Sequence, residues 1–88
     1  MREHTHPHDF DLEGAFPAMR EIKGYEGSGV FEAERDGAFF VIIDERRFAG
    51  GLDPEDEEDR KVLGRLVRVM EFPDDEGRRS WLRLQLGP

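Results

Sequence analysis

The sequence contains no cysteine, so neither disulfide bonds nor thiolate zinc sites can stabilise the fold. Side chains for nucleophilic catalysis are also scarce, because Thr5 is the only threonine and Ser28 and Ser80 are the only serines. All three histidines lie within the first eight residues, and a nucleophile–base–orienter arrangement would have to recruit that segment. Paired-carboxylate chemistry needs a pocket that raises a pKa, whereas these acids cluster at helix starts and turns. We therefore predict no catalytic residues and no enzymatic activity.

Long apolar runs are absent as well, so the sequence predicts no membrane-spanning segment. The first residues are polar and do not form the apolar core of a signal peptide, which makes a cytoplasmic location the expectation. The 88 residues suffice for one small domain with a modest core. A net charge of −8 disfavours nonspecific binding to nucleic acid or anionic lipid and favours basic partners.

The N-terminal segment shows no apolar periodicity, and we interpret residues 1–9 as a flexible tail that precedes a single domain over residues 10–88. The tail contains His4, His6 and His8. A metal site made by these imidazoles is the alternative, since His-x-His-x-His can present several ligands. The tail is the favoured interpretation, and we predict no metal and no cofactor.

The clearest fold signal is the apolar segment 30–44, which is interrupted by Asp36-Gly37. Asp-Gly is typical of a two-residue type I′ turn, because both central positions need positive φ. The sequence therefore predicts a β-hairpin in which Val30 lies opposite Ile43. Its second strand is apolar on both sides, which indicates a central strand that must be covered on both faces of the sheet.

The remaining elements are predicted from shorter signals. Residues 16–24 have helical apolar spacing, with an edge strand as the alternative because of Pro17. Asp53 as N-cap, Pro54 at the first helical position and Gly64 as a left-handed cap predict a helix between them. Residues 65–72 alternate partly in polarity and residues 81–86 alternate cleanly, which predicts a second hairpin, with a continuation of the preceding helix through Met70 as the alternative for residues 65–72.

Together these elements predict an α+β fold. It consists of a small antiparallel sheet of four to five strands, formed from two hairpins, with one or two short helices. A partly open OB-like or SH3-like barrel fits the same element order.

Acidic clusters are the most distinctive polar feature. Six of the seven residues 53–59 are acidic, and further acids occupy residues 74–76. Neither cluster has the spacing of an EF-hand calcium loop. Carboxylates fixed on rigid elements can imitate a row of phosphates and bind a basic groove with fast, salt-sensitive association. The predicted partner-binding residues are Asp53, Glu55, Asp56, Glu57, Glu58, Asp59, Asp74, Asp75 and Glu76.

The sequence thus predicts a non-enzymatic domain that binds a basic protein partner, as an adaptor, inhibitor or antirepressor-like nucleic-acid mimic. One alternative is a small β-barrel that binds nucleic acid, although the net charge opposes direct binding. Its binding residues would be Arg65, Arg68, Trp81 and Arg83. Another alternative is an accessory or small-ligand-binding subunit with a pocket near Tyr25 and Phe48. A homodimer formed through a leftover sheet face or edge is compatible with each of these functions.

Overall fold

The structure, a computed structural model, describes residues 1–87 as a five-stranded antiparallel sheet with short helices. The strands are β1 (Arg2–His6), β2 (Arg20–Glu21), β3 (Val30–Arg35), β4 (Ala38–Asp44) and β5 (Val67–Phe72). The helices are α1 (Leu12–Ala15), α2 (Glu57–Leu63) and α3 (Asp75–Leu86), with a 3₁₀ helix over Arg46–Gly51. Within residues 1–87, none of the helices has the length and apolar character needed to cross a bilayer.

The strand order is β1-β5-β4-β3-β2, which makes β1 and β2 the two edges of the sheet. The predicted α+β class and the antiparallel sheet of four to five strands are confirmed. The sheet remains open, so it is not the OB-like or SH3-like barrel that the element order also allowed.

The central hairpin has the predicted turn and register. Asp36 and Gly37 adopt φ values of 53° and 79°, both in the left-handed region that a type I′ turn requires. Val30 lies opposite Ile43, and the pairing continues without a bulge to the turn. The prediction succeeds because a two-residue turn fixes the register, and the register then fixes which side chains share a face.

One face of the sheet, which we call the α1 face, is covered by the segment that connects β1 to β2. Leu12 in α1 is 1% exposed, and Phe16 just after α1 is 4% exposed. The sheet residues buried with them are Ala33, Phe40, Ile42, Val67 and Val69. The phenyl rings of Phe16 and Phe40 meet edge to face with centroids 4.9 Å apart, so this contact holds the connecting segment on the sheet.

The same segment departs from the favoured prediction for residues 16–24, which was a short helix. A turn follows Phe16, and the chain then forms the short edge strand β2 with Arg20 opposite Glu32. The helix is wrong, and the alternative edge strand is confirmed only for Arg20–Glu21, because Pro17 lies in a turn that places Met19 against the core.

The opposite face is covered by α3, and we call it the α3 face. The second hairpin predicted from residues 65–72 and 81–86 is wrong, because only Val67–Phe72 forms a strand and residues 81–86 lie in α3. Trp81 and Leu82 are neighbours in sequence, yet both pack against the same buried cluster on this face, which includes Val41 and Met70. A helix permits this, whereas a strand would direct adjacent side chains to opposite faces.

The acidic helix α2 begins later than predicted. Its N-cap is Asp56 rather than Asp53, and the residues before Glu57 form a turn. Gly64 ends the helix as expected, but its φ of −76° is right-handed, so the predicted left-handed cap is wrong. The displaced start is explained by a hydrogen bond from the Asp59 backbone N–H to the Asp56 side chain at 2.9 Å.

The N-terminal segment also differs from the expected tail. Arg2–His6 form β1, which pairs antiparallel with β5. His4 lies opposite Val69 and His6 opposite Val67. Alternate residues of a strand project to the same face, so both imidazoles project to the α1 face. Periodicity could not indicate this strand, because β1 contains no apolar residue.

Candidate binding surfaces

The acidic segment, residues 53–59, lies at one end of the sheet. It belongs to the connection between β4 and β5, which leaves the sheet after Asp44 and returns at Val67, its pairing partner. This connection contains the 3₁₀ helix after β4 and helix α2. All of its acidic side chains except that of Asp59, which is partly buried, are exposed to solvent.

Three aspartates fix the conformation of the acidic segment through hydrogen bonds to the backbone. Asp53 accepts a hydrogen bond from the Glu55 N–H at 2.9 Å, and Asp59 accepts one from the Asp53 N–H at 2.9 Å. Asp56 caps α2 in the same way. These carboxylates are engaged with the chain, so the glutamates of the segment are the ones presented to solvent.

The glutamates of the acidic segment are Glu55, Glu57 and Glu58. Within residues 1–87, the side chains of Glu55 and Glu57 make no hydrogen bond or ion pair, and Glu58 has one long contact of 3.4 Å with Lys61 Nζ. Short aspartates therefore shape the loop, while longer glutamates carry unpaired negative charge on its surface.

The second predicted acidic group is at the other end of the sheet. Asp74, Asp75 and Glu76 follow β5 where Phe72 lies opposite Phe39. The two ends of this β4–β5 ladder are separated by roughly 17 Å of strand at about 3.4 Å per residue. The structure therefore divides the predicted partner-binding residues into two groups and does not bring them together.

Two of these C-terminal acids have structural partners. Asp74 caps α3 by accepting a hydrogen bond from the Gly77 N–H at 2.7 Å. Asp75 lies 2.6 Å from Arg78 Nη2 and 2.7 Å from Arg79 Nε. The hydrogen bond from Arg78 is the main cause that lowers the pKa of Asp75. Asp74 and Asp75 are therefore committed to the fold, whereas Glu76 is exposed.

Arg78 is the centre of a charged cluster that the sequence did not indicate. It is 5% exposed, and its guanidinium contacts Glu34 at 2.8 Å and donates to the Ala33 carbonyl at 3.2 Å. Arg20 from β2 pairs with the same Glu34 at 2.9 Å. The Arg78 hydrogen bond is the main cause that lowers the pKa of Glu34. Residues from β2, β3 and α3 thus converge, and each charge is compensated.

Three of the four residues of the nucleic-acid alternative are engaged within the fold. Arg68 pairs with Glu3 at 2.8 Å, and Arg65 donates to the Lys61 carbonyl at 3.1 Å. Trp81 is half-buried with its ring 6.1 Å from that of Phe72. Arg83 is exposed on α3. The one aromatic side chain of this set packs against the core.

A groove of about 380 Å³ on the α1 face lies between β1 and the connecting segment above the sheet. His4 and Glu71 line it and approach each other to 3.2 Å, between Nε2 and Oε1. The ring of His6 stacks on Phe10 with centroids 3.9 Å apart. Burial, reinforced by the charge of His4, lowers the pKa of His6. The sequence pattern does not indicate this groove, because the strand that carries its histidines contains no apolar residue.

Arg35 lines the same groove from the hairpin end of β3. Its guanidinium carbon lies 4.5 Å from the centroid of Phe16 and 5.2 Å from that of Phe40. One of its N–H groups donates to the Ala15 carbonyl at 2.9 Å. The groove therefore combines aromatic rings, a guanidinium and imidazoles in an otherwise strongly acidic molecule.

This groove is not lined by Tyr25 or Phe48, the two residues near which the sequence predicts a small-ligand pocket. Tyr25 donates its hydroxyl to the Leu86 carbonyl at 3.3 Å, and Phe48 is 57% exposed beneath Arg47. Among residues 1–87, no group of three histidine, aspartate or glutamate side chains is arranged to hold a metal ion.

The molecule is thus a small α+β domain that presents an acidic segment at one sheet end and an aromatic groove on one sheet face. Comparison of the chain with protein-family models, with curated protein sequences and with solved structures found no match.

Proposed function

We propose that the protein is a non-enzymatic binding domain that recognises a basic protein partner through its acidic segment. The observation that carries the proposal is the division of labour within residues 53–59. The aspartates hold the backbone, and Glu55, Glu57 and Glu58 present negative charge that is largely uncompensated by the chain. A fixed array of charge binds better than a flexible one, because less side-chain and backbone freedom is lost on association.

The net charge of the chain supports the same proposal. At −8, the whole molecule attracts basic partners over long range, and the acidic segment adds a local concentration of charge. Such surfaces mainly increase the rate and specificity of association, and their effect decreases as salt rises. These properties fit an adaptor, inhibitor or antirepressor that occupies a basic groove on its partner. The proposed location is the cytoplasm, where many basic nucleic-acid-binding proteins act.

The proposed surface is smaller than the one predicted from sequence. Asp74 and Asp75 are engaged in capping and in ion pairs, and they lie at the other end of the β4–β5 ladder. We therefore restrict the partner-binding surface to the acidic segment.

A comparison of two charge-matched variants tests the proposal. The variant E55Q/E57Q/E58Q neutralises the acidic segment. The control D9N/E13Q/E76Q neutralises three other exposed acids and has the same net charge. Each immobilised protein is incubated with a cell lysate at low salt and at high salt, and retained proteins are quantified by mass spectrometry.

We expect the wild type and the control variant to retain the same basic protein at low salt and release it at high salt. The E55Q/E57Q/E58Q variant should lose it. Retention that does not depend on salt, or equal loss in the two variants, would contradict a localised acidic binding surface. Retention of no basic protein at all would exclude the proposed function under these conditions.

A further inference from the structure

We propose that the groove on the α1 face binds a small aromatic carboxylic acid. This site is separate from the acidic segment and does not depend on the function proposed for it. The groove volume of about 380 Å³ lies within the range of small-molecule sites, roughly 300–1,000 Å³. The occupant is therefore a small molecule.

The walls of the groove favour a planar ring. Phe16, Phe40 and Phe10 line it, and Val69 contributes an aliphatic surface. Phe16, Phe40 and Val69 are at most 4% exposed, so their positions are set by the core and do not adapt freely. An aromatic ring gains mainly by removing its own apolar area from water, since these buried side chains expose little surface of their own.

Arg35 provides the charge complement for a carboxylate at one end of the groove. Only one of the five N–H donors of its guanidinium is used within residues 1–87, in the bond to the Ala15 carbonyl. The nearest carboxylate, that of Asp36, is 3.9 Å from Nε and 93% exposed, which is too distant for a hydrogen bond. The guanidinium is held in place by Phe16 and Phe40, so it is preorganised to make a bidentate contact.

Glu71 determines the orientation of the ligand. Its carboxylate lies on β5 beside His4, on the other side of Phe40 from Arg35. Like charges repel, so a ligand carboxylate avoids this end and faces Arg35. A cationic ring compound meets the opposite situation, because the Arg35 guanidinium repels its charge at the hairpin end of the groove. The groove thus selects an anionic ring with its charge toward the hairpin.

An NMR titration with three ligands of the same ring tests this inference. The full chain, labelled with ¹⁵N, is titrated with 2-naphthoate, with the uncharged 2-naphthalenemethanol and with the cationic 2-naphthylmethylamine. We expect saturable shifts for naphthoate, confined to amides of β1, of the connecting segment and of the β3–β5 residues beneath it. Loss of a charge-assisted contact should weaken binding of the alcohol about tenfold, and the amine should bind least.

Substitution of the guanidinium provides a second measurement. The R35Q variant should bind naphthoate no more tightly than the wild type binds the alcohol. R83Q is the matched control, since Arg83 is exposed on α3, which covers the opposite face, and it should bind naphthoate like the wild type. Because the ligand series uses the wild-type chain, it remains decisive if R35Q folds poorly. Non-saturating shifts, shifts on both sheet faces, or equal affinity for acid, alcohol and amine would overturn the proposal.

Discussion

At the scale of single residues, Arg78 shows how a charged side chain becomes part of a small core. Its guanidinium lies over the ring of Phe39 at 5.1 Å and satisfies the Ala33 carbonyl. Burial alone lowers the pKa of an arginine, but the hydrogen bonds from its guanidinium to Glu34 and Asp75 outweigh that effect, so the pKa of Arg78 is raised. The residue remains charged, and its partners depend on it.

Replacement of Arg78 should therefore be strongly destabilising. R78Q leaves Glu34 without its closest partner and removes the donor to the buried Ala33 carbonyl. Because Glu34 is partly exposed, we expect a loss of about 2–4 kcal/mol, at or below the usual range for breaking a buried ion pair. The matched control is R79Q, because the Arg79 side chain is 70% exposed and its loss should cost less than about 0.5 kcal/mol. Urea denaturation gives both values, and similar effects of the two substitutions would contradict the role of Arg78.

At the scale of elements, α3 shows where local sequence pattern is ambiguous. Residues 81–86 alternate in polarity, which is typical of a strand. The opposing signals were Asp74 as an N-cap, acids at Asp75 and Glu76 in the first turn, and Gly87 just past the end. Gly87 has a φ of 82° and terminates the helix. The capping residues mark both ends of the helix, so they indicate its structure better than an alternation in polarity over six residues.

Two substitutions can distinguish a helix from a strand over residues 81–86. In a strand, Leu82 and Leu84 would share a face and contribute alike, whereas in α3 Leu82 packs on the core and Leu84 is 83% exposed. We expect L82A to cost about 1–2 kcal/mol, because Leu82 is half-buried, and L84A to stay within about 0.5 kcal/mol. Thermal or urea denaturation of the two variants measures this difference. Equal losses would indicate that residues 81–86 do not form the described helix.

The strands differ in how far the sequence could specify them. The β3–β4 hairpin was predictable to the residue, because the Asp36-Gly37 turn and the apolar alternation are local signals. Strand β1 was not, since a polar edge strand is defined only by its pairing with β5. The groove was equally unpredictable, because His4 and Glu71 are distant in sequence and meet only through the pairing of β1 with β5. Sites built by tertiary pairing lie beyond single-sequence reasoning, whereas the acidic segment was visible at once.

At the scale of the whole molecule, carboxyls and an imidazole with lowered pKa values make stability depend on pH in a defined direction. Hydrogen bonds from arginines lower the pKa of Glu34 and of Asp44, whose main donor is Arg46. A carboxyl with a lowered pKa stabilises the fold above its ordinary value, and that stability is lost as pH falls. His6 acts in the same direction at higher pH, because burial lowers its pKa and the folded state therefore favours the neutral imidazole.

We accordingly expect the free energy of unfolding to decrease in two stages as the solution is acidified. The first stage begins near pH 6.5, where the unfolded state starts to take up a proton on His6 that the folded state resists. The second begins near pH 4.5, as carboxyls such as Glu34 are protonated. Urea denaturation at a series of pH values measures both stages. H6F keeps a ring on Phe10 and should remove the first stage but not the second, so a first stage of unchanged size in H6F would show that another group causes it.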